Sequence, residues 1–391
     1  MAPPNPRAAK ALRTLEQGLQ YQNTGRFQEA ERLFAGLVRE HPTYFDALFC
    51  YGAFKFQQEK LAEAFELFKK AVAVNPHSVH ALSYLGFVLF ELGRGPEGVD
   101  ALQRALKLEP GNPDTLYNLG RALYNLKRFE DALPYLDRST VISPNNVPAL
   151  CHRALVLCEL NQYEQALAAL DRALALRPDF QAVLTNKALV LLDLQMLDEA
   201  FATFHRSLAL NPNDPLTSFS LATLELLTGD FERGWPRREA RWSLAAAALV
   251  NRGFSQPLWL GDQPLEGKTI LLHADEALGD SIQFARYATL VAALGARVIL
   301  EVKPAVQRLL GGIPGVTACV DRSASASLAF DLHCPLGSLP LAFGTRLDTI
   351  PFAQRYLPAP APERVDSPPR PDREAPGRRR RRRGAAHAAT L

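Results

Sequence analysis

The sequence predicts an α-α solenoid of paired helices over residues 10–214, followed by a partial, open α/β segment. Two observations carry this expectation. Six prolines, Pro42, Pro76, Pro110, Pro144, Pro178 and Pro212, stand 34 residues apart in one register. A fixed period of that length marks stacked supersecondary units that bury a core only by packing on their neighbours. From Lys268 onward the apolar pattern changes to short continuous runs alternating with helical stretches, the mark of buried parallel strands.

The helical repeat can be read position by position, with each proline taken as position 32. Position 8 is always small, as Gly18, Gly52, Gly86, Gly120, Ala154 and Ala188, and so is position 20, as Ala30, Ala64, Gly98, Ala132, Ala166 and Ala200. Position 24 is always large, as Phe34, Phe68, Leu102, Leu136, Leu170 and Phe204. Small residues let the two antiparallel helices of a unit approach closely, and the large one is expected to fill the gap to the next unit. Each proline ends a second helix and pushes its predecessor toward extended geometry. Gly25-Arg-Phe, Gly93-Arg-Gly and Lys127-Arg-Phe fall where the first helix should stop, with glycine suited to a left-handed cap.

These positions resemble the tetratricopeptide (TPR) family over slightly more than half the chain. The resemblance implies a superhelix whose first helices line a concave face through positions 2, 5, 6, 9, 12 and 13 and hold an extended segment of a partner protein. Here those positions include Phe49, Phe56 and Gln57, then Tyr84, Phe87 and Phe90, then Tyr117, Asn118, Arg121, Tyr124 and Asn125, then His152, and Asn186. The aromatic side chains either stand half exposed for binding or pack between neighbouring first helices. Protein O-GlcNAc transferases of the nucleocytoplasmic type carry an asparagine at position 6 that clamps a peptide backbone. Only Asn118 and Asn186 match, and the favoured reading is two solvated polar residues on a helix.

Composition excludes several function classes. The chain has 391 residues, 47% apolar and 22% charged, enough for two or more domains. No apolar run reaches the length of a membrane helix, and the start lacks the apolar stretch of a signal peptide, so a cytoplasmic location is expected. Five cysteines, Cys50, Cys151, Cys158, Cys319 and Cys334, fit neither a disulfide framework nor a zinc pattern, and reduced thiols are expected. The net charge of +3 hides a tail that carries +5 from Glu363 onward, which leaves the body at about −2. The folded part therefore shows no footprint for specific nucleic-acid binding.

Beyond Asp214, the stretch from Ser220 to Gly234 reads as a degenerate seventh repeat. Residues 215–262 end in a linker that holds all three tryptophans mixed with arginine, and a docking junction is expected there. In residues 263–360, strands are expected at 269–273, 297–302, 316–320 and about 328–332, with a helix from about Ser281 to Leu294. Ligands of such sheets sit at the carboxyl ends of the strands, where the loop from Asp275 to Asp280 falls. Gly261-Asp-Gln-Pro-Leu-Glu-Gly-Lys-Thr imitates a phosphate-binding loop, but it has the wrong glycine spacing and precedes its strand. No metal-ligand cluster, cofactor motif or nucleophile-base arrangement is visible.

Leu258-Trp-Leu-Gly-Asp, Gly267-Lys-Thr-Ile-Leu-Leu-His-Ala, Leu278-Gly-Asp-Ser-Ile-Gln-Phe-Ala-Arg-Tyr and Phe330-Asp-Leu-His-Cys-Pro-Leu resemble the glycosyltransferase-like domain that follows TPR arrays in many bacterial proteins. That domain is similar to the amino-terminal half of heptosyltransferases. The resemblance implies half of a GT-B fold, Rossmann-like in type, with a ligand loop of Asp275, Gly279, Gln283 and Arg286. It also implies that Asp280 acts as general base on an acceptor hydroxyl, although an aspartate there is simply the N-cap expected for the following helix, which is the favoured reading. Two departures weaken the enzymatic expectation. Ala277 stands where the family has a glycine, and the chain has room for only one of two halves, so a nucleotide sugar is expected only if a second half-domain is supplied.

Residues 1–9 and 361–391 are expected to be disordered. The Arg/Pro/Ala-rich tail, with six consecutive arginines at 378–383, reads as a basic arm, a passive tail or the out-of-frame product of a GC-rich gene. The last fits best, because the family resemblance stops abruptly near Tyr356. The expected function is a protein-interaction scaffold carrying an inactive glycosyltransferase remnant, and the alternative is a TPR-containing glycosyltransferase moving a sugar from a nucleotide-sugar donor to a protein or cell-surface acceptor.

Overall fold

A computed structural model describes residues 6–244, 252–325, 328–351 and 357. The tail at 361–391 and the middle of the linker therefore lie outside the described residues. The chain divides into two compact units at Val183/Leu184, inside the first helix of the sixth repeat.

Seven helical hairpins follow one another among the described residues. They are α1 (Pro6–Asn23) with α2 (Phe27–Glu40), α3 (Phe45–Gln57) with α4 (Leu61–Val74), α5 (Val79–Glu91) with α6 (Gly95–Leu108), and α7 (Pro113–Asn125) with α8 (Phe129–Ile142). Then come α9 (Val147–Glu159) with α10 (Tyr163–Leu176), α11 (Gln181–Asp193) with α12 (Leu197–Leu210), and α13 (Pro215–Thr228) with the shorter α14 (Phe231–Arg238). From the second repeat on, every first helix starts at position 1 and every second helix at position 17. The first helix of the chain starts earlier, at Pro6, within the stretch expected to be disordered.

Local chemistry explains these boundaries. Ser78, Asn112, Asn146 and Asp214, all at position 34, accept a hydrogen bond from the backbone N–H three residues on. Each satisfies one of the donors that a helix start leaves unpaired. Position 15 takes the left-handed conformation in all seven repeats, at Gly25, Glu59, Gly93, Lys127, Asn161, Gln195 and Gly229, with φ between 57 and 89°. It is the turn that reverses the chain, and glycine occupies it in only three of these repeats.

Packing within a hairpin follows from the small positions, with one correction. The large residue at position 24 sits first on position 8 of its own repeat, not in the gap to the next. A Cβ at Gly120 would lie 2.5 Å from Leu136, and one at Gly86 would lie 2.7 Å from Leu102. Phe68 also reaches onward, stacking 5.2 Å from Tyr84 of the next repeat. In the first unit, buried Leu48, Phe68, Leu82 and Leu85 form one cluster and Leu102, Leu119, Leu123 and Leu136 another, so the core runs from hairpin to hairpin.

In the second unit, the last hairpin leads into an open sheet of four parallel strands. These are β1 (Thr269–His273), β2 (Arg297–Glu301), β3 (Val316–Val320) and β4 (Leu332–Pro335), in the order β3-β2-β1-β4. β4 starts about four residues later than the apolar run suggested. The helix expected from Ser281 to Leu294 is broken into α15 (Leu278–Phe284), a 3-10 turn and α16 (Ala288–Ala293); α17 (Pro304–Leu310), α18 (Arg322–Ser325) and α19 (Leu339–Ala342) follow. One sheet face buries Ile270, Leu272, Val298, Leu300, Leu332 and Cys334 under Trp259 and Tyr287. The other carries a polar group in which His273 and His333 sit 3.2 Å apart and Arg252 pairs with Glu301.

Candidate functional site: an aromatic face and a closed crevice

In the first unit, successive first helices touch through the positions expected to line a groove. Phe49 meets Tyr84 edge to face at 5.4 Å, and Phe56 meets Phe87 at 5.1 Å. The Arg121 guanidinium lies 4.2 Å over the Phe87 ring, with Glu91 3.9 Å away. In the next repeats His152 is clasped by Tyr117 at 5.3 Å and Tyr124 at 6.3 Å. These edge-to-face pairs hold the rings at fixed angles. The two readings of the aromatics left open by the sequence are thus combined. The rings pack between neighbouring first helices, and they stay partly exposed, with Tyr84 at 38%. Phe90 leans on the cluster of Leu119 and Leu123, Asn118 is half-buried, and Gln57 and Asn125 are exposed.

Burial shifts the titration of this face where the rings meet. Burial pushes the His152 imidazole down to about 4 and the Tyr124 hydroxyl up to about 12, and it lowers Arg121 against the neighbouring charge of Glu91. Desolvation disfavours each charged form. His152 is therefore neutral at physiological pH, with Nδ1 placed 3.1 Å from the Pro148 carbonyl oxygen.

Asn186 behaves differently. It belongs to the other unit and is buried, and neither of its amide atoms has a hydrogen-bond partner. The expectation of an open amide at this position is corrected by that burial.

The second candidate region lies at the strand ends of the sheet. The chain steps across β1 between β3 and β4, so the switch point falls between β1 and β4, where open parallel sheets bind ligands. Here the crevice is filled. Arg241, 1% exposed, comes from the 3-10 turn after α14 and pairs with Asp275 at 3.0 Å, Glu276 at 3.1 Å and Glu239. The Nη2 that faces Asp275 also donates to the Ser338 hydroxyl at 2.7 Å. Arg238 pairs with Glu276 at 2.6 Å and donates to the Gly337 carbonyl at 3.1 Å. Asp275 accepts from the Gly337 N–H at 3.2 Å, which ties the end of β1 to the end of β4. Gly337 leaves the room, since a Cβ there would come within 3.0 Å of Arg238 and 3.1 Å of Asp275.

The remaining ligand-loop residues are scattered by this arrangement. Asp280 is not the N-cap; it sits at the third position of α15 and accepts from the Ala277 N–H at 3.2 Å, an N-terminal tie made from inside the helix. Gly279 is exposed on the first turn of that helix. Gln283 and Arg286 come together, with Arg286 donating to the Gln283 carbonyl at 2.8 Å, on the wall of a cavity of about 290 Å³ under Trp235 and Phe284. Trp235 donates to the Thr345 carbonyl and Trp259 to that of Gln263, so two of the three linker tryptophans bury against the sheet core. Sequence reading missed Arg238, Arg241 and Ser338. The only hint was arginine mixed with tryptophan just before the α/β segment.

No group of side chains suited to a metal ion is found among the described residues, and no described helix is long and apolar enough to cross a membrane. None of the five cysteines forms a disulfide.

Comparison with known proteins bears on the first unit above all. The family model of the tetratricopeptide repeat matches residues 15–79, 85–147 and 152–215. A crystal structure of a tetratricopeptide repeat protein from Parabacteroides merdae is 16% identical at a TM-score of 0.50, covering 62% of this chain and 94% of that one. YrrB, described as a TPR protein with an unusual peptide-binding site, is 20% identical at 0.40, covering 46% of this chain and 92% of its own. The APC/C hetero-tetramer Cut9-Hcn1 is 22% identical at 0.47 over 52% of this chain, which spans 40% of the matched chain. No curated protein matches the sequence. From residue 15 to residue 215, then, this chain is built of tetratricopeptide repeats.

Proposed function

We propose that this chain is a protein-interaction scaffold that binds an extended segment of a partner on the aromatic face of its second to fifth repeats. One observation carries the reading. Phe49, Phe56, Tyr84 and Phe87 of the second and third repeats and Tyr117, Tyr124 and His152 of the fourth and fifth form two groups of rings, with Arg121 laid over Phe87 between them, and they stay partly exposed. Exposed apolar surface set in a fixed frame marks an interaction site. Ring faces and exposed amides such as Gln57 and Asn125 accept an extended chain without demanding one sequence. A cytoplasmic setting fits five cysteines outside any disulfide.

The α/β segment is read as a non-catalytic remnant of a glycosyltransferase-like half-domain. Its parallel sheet order favours a second reading, sugar transfer, with a nucleotide sugar bound only when a second half-domain is supplied. The filled crevice speaks against it, because Asp275 and Glu276 are committed to Arg238 and Arg241, and Asp280 to the start of α15.

Two titrations of the full chain test the reading. A labelled library of extended peptides is expected to yield binders whose affinity falls about tenfold in Tyr84→Ala, a loss of about 1.4 kcal/mol. Calorimetry with a panel of nucleotide sugars is expected to show no saturable heat, and saturable binding would restore the transferase reading.

A further inference from the structure

We infer that the segment held on the aromatic face belongs to a partner protein and is cationic, carrying arginine or lysine at intervals along an extended backbone. The inference rests on the groove reading above and adds the chemistry of the occupant.

Charge on the face is one-sided. At positions 2, 6 and 13 of the first five repeats, Glu16, Asp46, Glu91 and Asp114 are exposed carboxylates, and Glu159 is half-buried. Across all the groove positions of those five repeats, 2, 5, 6, 9, 12 and 13, the only permanent cation among the described residues is Arg121 at position 9, already engaged by Phe87 and Glu91. The arginines of the hairpin turns add no net charge, since Arg26, Arg94 and Arg128 each pair with the acid three residues on. His152 stays neutral, because burial holds it at about 4.

Arg121 also shows what this surface does with a guanidinium. It lays the planar cation on a ring and steers it with a carboxylate one turn away, a geometry that favours arginine over other side chains. Ring and carboxylate stand together twice more, and neither carboxylate forms an ion pair among the described residues. Tyr117 stands one turn from Asp114, and Tyr124 lies close enough to Glu159 to feel its charge. A partner carrying guanidinium or ammonium groups would complete these sites, and the negative field would speed its approach.

The test uses the full chain and three labelled peptides of roughly twelve residues, in which proline alternates with arginine, glutamine or glutamate. The arginine peptide is expected to bind about tenfold more tightly than the glutamine peptide and to weaken steeply as salt rises from roughly 50 to 300 mM. That preference is expected to vanish in the combined variant Asp46→Asn, Glu91→Gln, Asp114→Asn, whose circular dichroism stays unchanged. Equal or tighter binding of the glutamine or glutamate peptide, still sensitive to Tyr84→Ala, would overturn the charge inference and leave the groove reading standing. Binding insensitive to Tyr84→Ala would remove the groove reading itself. A gain of tenfold or more on deleting residues 364–391 would replace the partner with the chain's own arginine-rich tail. Self-association lost in the charge variant would replace it with a second copy.

Discussion

The aromatic face of the repeats and the crevice at the ends of β1 and β4 were both candidates for binding, and they have opposite constructions. On the face, rings such as Tyr84 are held at fixed angles by their neighbours yet keep surface open to solvent. In the crevice, Asp275, Glu276 and Glu239 are already paired with Arg238 or Arg241 inside the chain, and the buried Arg241 fills the space between them. An open apolar surface retains free energy to give to a partner, whereas a satisfied ion cluster has already used its own in holding the last hairpin to the sheet. The comparison teaches that position at a switch point does not make a site when the preceding chain supplies the cations.

The largest expected effect is in the crevice. Arg241→Met leaves Glu239, Asp275 and Glu276 short of a buried partner, and removing one member of a buried ion cluster costs about 3 to 5 kcal/mol. Urea unfolding followed through the tryptophans, all of which lie in the second unit, should report that loss, while peptide binding by the repeats should persist. A loss below about 1 kcal/mol would mean the cluster is a surface feature and the crevice is not closed by it.

Acid separates the two regions in another way. His152 titrates near 4 in the folded chain and near 6.5 when unfolded, so the unfolded state binds the extra proton between those values. Stability therefore falls as pH drops from about 6.5 to about 4 and levels off below, by roughly 3 kcal/mol in all for this group. His273 in the sheet shares the same direction and range, again from burial. His152→Gln should remove the part of the acid loss that belongs to the repeats, as read by unfolding at a series of pH values; an unchanged profile would place His152 in contact with water.

Smaller effects probe the frame that holds the rings. Gly120→Ala puts a methyl 2.5 Å from Leu136 and should destabilise by about 1 to 3 kcal/mol through overpacking, visible as a lower Tm. Lys127→Gly goes the other way. It relieves a side chain held at φ 58° and should stabilise by about 0.5 to 1 kcal/mol, with binding untouched.

The same contrast explains what the sequence made legible. The ends of the helices followed from the proline register, because a repeat fixes local geometry many times over. Left-handed turns at Glu59, Lys127 and Gln195 were visible only through that register, since none of these residues announces the conformation. The rings of the face were legible for the same reason, but their degree of exposure was not, as it depends on contacts between repeats. In the α/β segment, β1 to β3 were readable as apolar runs, whereas β4 was misplaced because Leu328 to Leu332 is no longer a clean run. The crevice was not readable at all. Arg241 meets Asp275 and Ser338 across 34 and 97 residues, and no local pattern connects them. Asn186 shared a position with Asn118 but not its surroundings.

The central claim is that binding belongs to the aromatic face of the repeats. Its most direct test is a titration of the full chain with the proline-arginine peptide, set beside the variant Tyr84→Ala, Tyr117→Ala, Tyr124→Ala and beside Arg241→Met. The account predicts that the triple tyrosine variant loses binding at least tenfold with its helix content intact, and that Arg241→Met binds as the parent does. Undiminished binding in the tyrosine variant, or binding lost only in Arg241→Met, would contradict it.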